Sequence, residues 1–191
     1  MNPSTTTVAL GSQTVELPLV SISDELTIAL FMTIDTPISV LATACRELAE
    51  MLAELKPEVI ATAATLGIPV AFEVARALGL EDVVVLQKSN KVHLAGSPAI
   101  ELESITTAGR QRLILDRARA HLVAGRRVLF IDDVVSTGSS VAAAIGLLRQ
   151  SGADIVGIGA LFAEGEAWRE RLGTDAGLVR ALSPLPFPAQ P

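Results

Sequence analysis

Val128–Ser140 reads VLFIDDVVSTGSS. Val128–Ile131 has the look of a buried strand, an apolar run bounded by polar residues. Asp132 and Asp133 follow at once, and then a small hydroxyl-rich loop without a basic residue. In open α/β sheets, ligands gather at the carboxyl ends of strands, so both carboxylates are expected at a site just past such an end. The loop Val134–Ser139 leads into a helix expected over Ser140–Gln150 and closed by Ser151-Gly152. A helix N-terminus exposes unpaired backbone N–H groups and a partial positive charge. Gly138 lets the backbone approach a ligand, while Ser136, Thr137, Ser139 and Ser140 offer hydroxyls. Backbone amides cradle a phosphate without help from lysine. Carboxylates, in contrast, repel phosphate but accept hydrogen bonds from sugar hydroxyls and hold hydrated magnesium. The stretch therefore reads as a ribose-phosphate site: acids for the sugar, a neutral loop for its phosphate.

Working outward, Asp154–Phe162 (DIVGIGALF) reads as a further strand. Upstream, Glu58–Ala63 and Asp82–Leu86 read as buried strands, with a helix from Pro69 to about Gly79 between them. Strand, helix and strand in succession favour parallel strands joined by a crossover helix. Thr36-Pro37 reads as an N-cap and first helical residue. Ile38, Leu41, Cys45, Leu48, Leu52 and Leu55 then form one apolar helical stripe, which Lys56-Pro57 ends. Ala99–Ser104 and Arg112–Asp116 alternate apolar and polar residues around the link ITTAGRQ, as in an antiparallel arm. Residues 1–16 read as polar and partly loose, Leu17–Asp35 as short strands of undecided place, and the tail LSPLPFPAQP as extended. The expectation is one α/β domain over residues 1–191 with a parallel sheet and helices on both faces.

Half of the 191 residues are hydrophobic and only 3% aromatic, so the core is built from Ala, Val, Leu and Ile. The net charge is −6 and the pI about 4.9, with no long basic run. That argues against nucleic-acid binding by phosphate neutralisation. Mean hydropathy is +0.49, yet the longest uncharged runs fall short of the roughly 18 residues a spanning helix needs. The first twenty residues lack the basic start of a signal peptide. The one cysteine, Cys45, lies on the apolar stripe and reads as a buried core thiol, and a single thiol suits a reducing cytoplasm. His93 and His121 lack a metal-binding pattern and read as structural or surface residues. Trp168 reads as a packing residue. There is no Walker lysine motif, nucleophile elbow or zinc spacing.

VLFIDDVVSTGSS resembles the phosphoribosyl-pyrophosphate signature of the type I phosphoribosyltransferases. ATAATLGIPVAFEVARALG (Ala61–Gly79) is similar to that family's pyrophosphate loop and following helix, with Ala63, Ala64, Thr65, Leu66 and Gly67 as the loop. VVVLQKSNKVHL (Val83–Leu94) resembles the strand that ends in a family lysine, a place Lys88 fills. SITTAGRQRLILD (Ser104–Asp116) and the flanks resemble adenine phosphoribosyltransferase-like members, where the chain ends build a hood over the base. The core is then expected over about 36–165 and the hood from about 17–35 and 166–191. The chain departs from the pattern at Ala64 and Leu66, where many purine enzymes carry charge.

The resemblance implies transfer of ribose phosphate from phosphoribosyl pyrophosphate to a purine base, adenine first, with release of pyrophosphate. It implies Mg2+, held through water by Asp132 and Asp133. It implies that the run Val135, Ser136, Thr137, Gly138, Ser139, Ser140 binds the phosphate, and that Lys88 or Lys91 supplies charge to the pyrophosphate loop. An arm over Lys91–Arg112 would close over the site, and Arg110 and Arg112 are candidates to reach from it. Phe31 and Phe187 read as core residues, with stacking on the base as the other reading. A homodimer, no nucleic acid and no membrane complete the expectation. The alternatives are another base (hypoxanthine, xanthine or orotate) and a regulator that binds phosphoribosyl pyrophosphate without chemistry.

Overall fold

The structure is a computed structural model and describes residues 4–23, 27–89, 91–102 and 111–185. Its strands are β1 (Thr5–Leu10), β2 (Gln13–Ser21), β3 (Thr27–Ala29), β4 (Val59–Ala63), β5 (Val83–Leu86), β6 (Ala99–Leu102), β7 (Gln111–Ile114), β8 (Arg127–Val135), β9 (Asp154–Glu164) and β10 (Val179–Leu185). Its α-helices are α1 (Ile38–Leu52), α2 (Gly67–Leu78), α3 (Ser139–Gln150) and α4 (Ala167–Leu172).

The centre is a five-stranded parallel sheet in the order β10-β9-β8-β4-β5. Every residue of β4 is buried, as a central strand covered on both faces must be. One face packs on α3 through Val141, Ala144, Ile145 and Leu148, with Phe130 beneath them. The other packs on α1 and α2 through Leu48, Leu52, Val70 and Val74, with Ile131 and Leu129 beneath. Helix α1 comes unusually close at β9, because a Cβ on Gly159 would stand 2.6 Å from Leu52 Cδ1 and from Ile131 Cδ1. Cys45 is fully buried on α1, as its stripe position implied, and burial, with Glu73 nearby, pushes its thiol up to about 12.

Several expectations change. From Thr5 the chain forms strands: β1, β2 and β3 make a separate antiparallel sheet, and a two-residue turn at Gly11-Ser12 joins β1 to β2. Val8, Leu10 and Leu17 are buried against the α1 side. The surrounding threonines look like loop residues but are good strand formers, and they masked that alternation. Thr36 does not cap α1; its hydroxyl donates to the Met32 carbonyl at 2.9 Å, and Pro37 holds the cap position. The tail is split. Val179–Leu185 is an edge strand of the central sheet, where Pro184 is tolerated, rather than part of a hood. Phe187 and the rest of the tail lie outside the described residues.

Strands β6 and β7 pair antiparallel, as their alternation suggested. The link Ser104–Arg110 lies outside the described residues. Beyond β7, Ile114 exchanges two 2.9 Å backbone hydrogen bonds with Gln87, so the return strand is tied to the end of β5. Among the described residues, no helix is long and apolar enough to cross a membrane.

Candidate active site

Three strand ends meet in a cleft of about 220 Å³ at the carboxyl edge of the central sheet. Strand β4 delivers Ala63–Leu66, β5 delivers Lys88, and β8 delivers Asp132, Asp133 and the loop that follows. Strand β8 is longer than its apolar run implied. It continues through both aspartates to Val135, so the acids stand within the strand rather than past it. The sheet continues because β9 is long enough to pair with it there, Asp132 with Ala160 and Val135 with Ala163.

Asp132 is buried and Asp133 partly so. Asp132 Oδ1 accepts the Asp133 backbone N–H at 3.1 Å. Burial raises both carboxyls above their usual range, and repulsion from Asp133 adds to the rise at Asp132. Lys88 acts in the opposite direction on both. Such a pair is ready for a group that donates hydrogen bonds or carries positive charge.

Gly67 begins α2 directly against this pair. A Cβ there would stand 2.9 Å from Asp132 Oδ1 and 2.5 Å from Thr62 Oγ1, so only glycine fits without displacement. The loop ahead of it is anchored twice. Ala64 N–H donates to the Leu86 carbonyl at 2.9 Å, and Thr33 Oγ1 donates to the Leu66 carbonyl at 2.8 Å. The Ala64–Thr65 peptide is cis.

After β8 the chain turns through Ser136–Gly138 into α3. Gly138 has φ +77°, and a Cβ on it would stand 3.1 Å from the Trp168 Cα. Both the backbone angle and the close approach require glycine. Thr137 Oγ1 accepts the Ser139 N–H at 3.4 Å. The front of the turn is open to the cleft, with the first amides of α3 behind it.

Of the residues singled out by sequence, the cleft gathers Ala63, Ala64, Thr65, Leu66, Lys88, Asp132, Asp133, Val135, Ser136, Thr137, Gly138 and Ser140. Gly67 lies behind it and Ser139 does not line it. Lys91 is placed elsewhere, in a separate hollow with Leu94, Ser97 and Arg112 beneath β6 and β7. Phe31 is buried edge-to-face on Phe162, with ring centroids 5.0 Å apart. His93 and His121 are exposed. Among the described residues, no three His, Cys, Asp or Glu side chains cluster as a metal site. Sequence reading missed Val134 and Val141, which also line the cleft. It missed as well the backing of the loop by α4, whose one signal was a lone tryptophan after a glutamate-rich turn.

A parallel α/β sheet with paired acids and a glycine turn at one strand end is the arrangement of a phosphoribosyltransferase-type fold. The chain belongs to the phosphoribosyl transferase domain family, whose model matches residues 37–181. It is similar to the purine biosynthesis transcriptional repressor PurR of Bacillus subtilis, 35% identical over 134 residues that make up 70% of this chain and 46% of the repressor. It is also similar to xanthine phosphoribosyltransferase of Deinococcus deserti, 31% identical over 147 residues, 71% of this chain and 75% of that enzyme. An orotate phosphoribosyltransferase of Desulforamulus reducens is 28% identical over 61% of this chain and 50% of its own length. The chain thus spans about half the length of the repressor and of the orotate enzyme. The fold is shared with adenine phosphoribosyltransferase of Saccharomyces cerevisiae, solved with adenine and an imino-altritol bisphosphate. The TM-score is 0.70 at 22% identity, covering 87% of this chain and 93% of that one. A Thermoanaerobacter pseudethanolicus adenine phosphoribosyltransferase gives 0.64 at 21% identity over 83% and 95%.

Proposed function

We propose that this chain binds phosphoribosyl pyrophosphate and transfers its 5-phosphoribosyl group to a purine base, adenine first, releasing pyrophosphate. The observation that carries the reading is the meeting of Asp132 and Asp133, the Ser136–Ser140 turn, the Ala63–Leu66 loop and Lys88 in one cleft. In this reading the turn and the α3 N-terminus hold the 5-phosphate, and the acids accept hydrogen bonds from the ribose hydroxyls. The amides of 63–67 and Lys88 hold the pyrophosphate. The bond between C1 of the sugar and the pyrophosphate oxygen breaks, its electron pair leaving with pyrophosphate, as a base nitrogen bonds to C1 and gives up its proton to water or to the departing pyrophosphate. Positive charge then grows on the sugar ring, and the two carboxylates face it.

The donor set fits magnesium. Two adjacent carboxylates with raised proton affinity, and no third protein ligand nearby among the described residues, suit a cation that keeps its waters and takes its other ligands from a substrate's phosphates. When bound, it would neutralise charge on the leaving pyrophosphate. Adenine comes first because the arm and flanks resemble adenine enzymes, and two of the structures that share the fold are adenine phosphoribosyltransferases.

A second reading is a regulator that binds phosphoribosyl pyrophosphate without chemistry. It is favoured by the uncharged residues Ala64 and Leu66 in the pyrophosphate loop and by the likeness to the repressor. One assay separates the two. The protein is incubated with magnesium, phosphoribosyl pyrophosphate and a panel of bases, and nucleotide and pyrophosphate are measured. Adenosine monophosphate formed from adenine alone supports the first reading, and nucleotide from another base corrects the substrate. Saturable binding with no product from any base supports the regulator, and no binding overturns both.

A further inference from the structure

Trp168 is the only tryptophan in the chain. It is 4% exposed and packs in the core on the α3 side of the sheet. Its Nε1 donates to the Gly165 carbonyl at 3.0 Å, and the Arg169 guanidinium lies 4.2 Å over its ring. Arg169 is itself paired with Glu166. The ring is therefore held by burial, by a hydrogen bond and by a cation on its face, which together fix the backbone that carries it.

That backbone stands directly behind the glycine of the cleft turn. A Cβ on Gly138 would meet Trp168 Cα at 3.1 Å, Cβ at 3.2 Å and the carbonyl oxygen at 3.3 Å. The turn has no space to move backwards. On its forward side, the Gly138 carbonyl accepts the Ala142 N–H at 2.8 Å and fixes the first turn of α3. A loop that holds an anion with amides works only if the amides are already aimed before the anion arrives, since re-aiming them subtracts from affinity.

We propose that Trp168 is a positioning residue for the phosphate turn: by pinning α4 behind Gly138 it holds the Ser136–Ser140 amides in binding geometry. The inference rests on the reading above that a sugar phosphate binds at this turn. It assigns the 5-phosphate end alone to Trp168. The pyrophosphate end is built by a different segment, Ala63–Leu66, which β4 delivers.

The test measures calorimetric affinities of the whole chain for two probes, ribose 5-phosphate and magnesium pyrophosphate. Wild type is compared with Trp168→Ala, which releases the pin, and Trp168→Phe, which keeps the bulk and loses the bond to Gly165. Trp168→Ala is expected to weaken ribose 5-phosphate about tenfold and leave pyrophosphate within about twofold, with Trp168→Phe between wild type and Ala. Should the alanine variant fail to fold, the phenylalanine variant carries the same comparison. Equal losses for both probes would mean general loosening and overturn the assignment. So would unchanged ribose 5-phosphate affinity in the variants. If wild type binds pyrophosphate but no ribose 5-phosphate, the site reading itself falls, which is a separate result from any variant effect.

Discussion

At the scale of single residues, Asp133 and Asp132 are separable. Asp133→Asn keeps the shape of the cleft while removing a charge, so we expect a loss of turnover of about 10²- to 10⁴-fold with no loss of melting temperature, read by nucleotide formation and calorimetry. Asp132 carries a pH signature. Its folded carboxyl is raised by burial and then by Asp133, so the folded state binds the proton more tightly than the unfolded chain does. This contribution to stability is present at low pH and is lost as pH rises above the ordinary range of an aspartate, about 3.9. The melting temperature of Asp132→Asn minus that of wild type should therefore grow as pH is raised from mildly acidic toward neutral. A flat difference would remove the buried-acid account. Gly67→Ala places a methyl group against Asp132 Oδ1 and Thr62 Oγ1. We expect it to cost about 1–3 kcal/mol in urea unfolding and to weaken substrate binding. The acids and the turn were legible in VLFIDDVVSTGSS because chemistry there shows as residue type. The meaning of Gly67 as a space for Asp132 was not legible, because it depends on a neighbour 65 positions along the chain.

At the scale of elements, β4, β5, β8, β9, α2 and α3 were legible to within a few residues, since each is a run of apolar residues with clear stops. Pairing decided what pattern did not. Strand β8 runs on through its acids because β9 offers partners to Ala163, and β10 was read as tail because its prolines masked an edge strand. The threonines of β1 hid a hairpin in the same way. The glycines of β9 are another feature of pairing and packing. Gly159→Ala sets a methyl group against Leu52 and Ile131, side-chain ends that yield only in part, so we expect about 1–3 kcal/mol of destabilisation by denaturant titration and little change in ligand affinity. By contrast, Arg149 and Asp175 form a bidentate pair at 2.6 and 2.7 Å on a solvated surface, and the arginine's hydrogen bonds hold the Asp175 carboxyl below its usual range. Arg149→Ala should cost less than about 1 kcal/mol despite this better geometry, because water screens the pair.

At the scale of the whole molecule, the class of fold was legible from the order of its elements, whereas the placement of both chain ends was not. The three-stranded sheet and the edge strand β10 are contacts between distant parts of the chain. The sheet order also divides the site. Residues 59–88 supply β4, the Ala63–Leu66 loop and Lys88, and α2 leaves on one face; residues 127–141 supply β8, the acids and the turn, and α3 leaves on the other. The two stretches meet along the seam between β4 and β8, under α2, and where Gly67 abuts Asp132. A descendant of this architecture can therefore erode one bank of the cleft and keep the opposite bank intact. On the function proposed above, drift around Thr65 alone would turn a transferase into a sensor that still grips a pentose, and no hinge, insertion or change of topology would be needed.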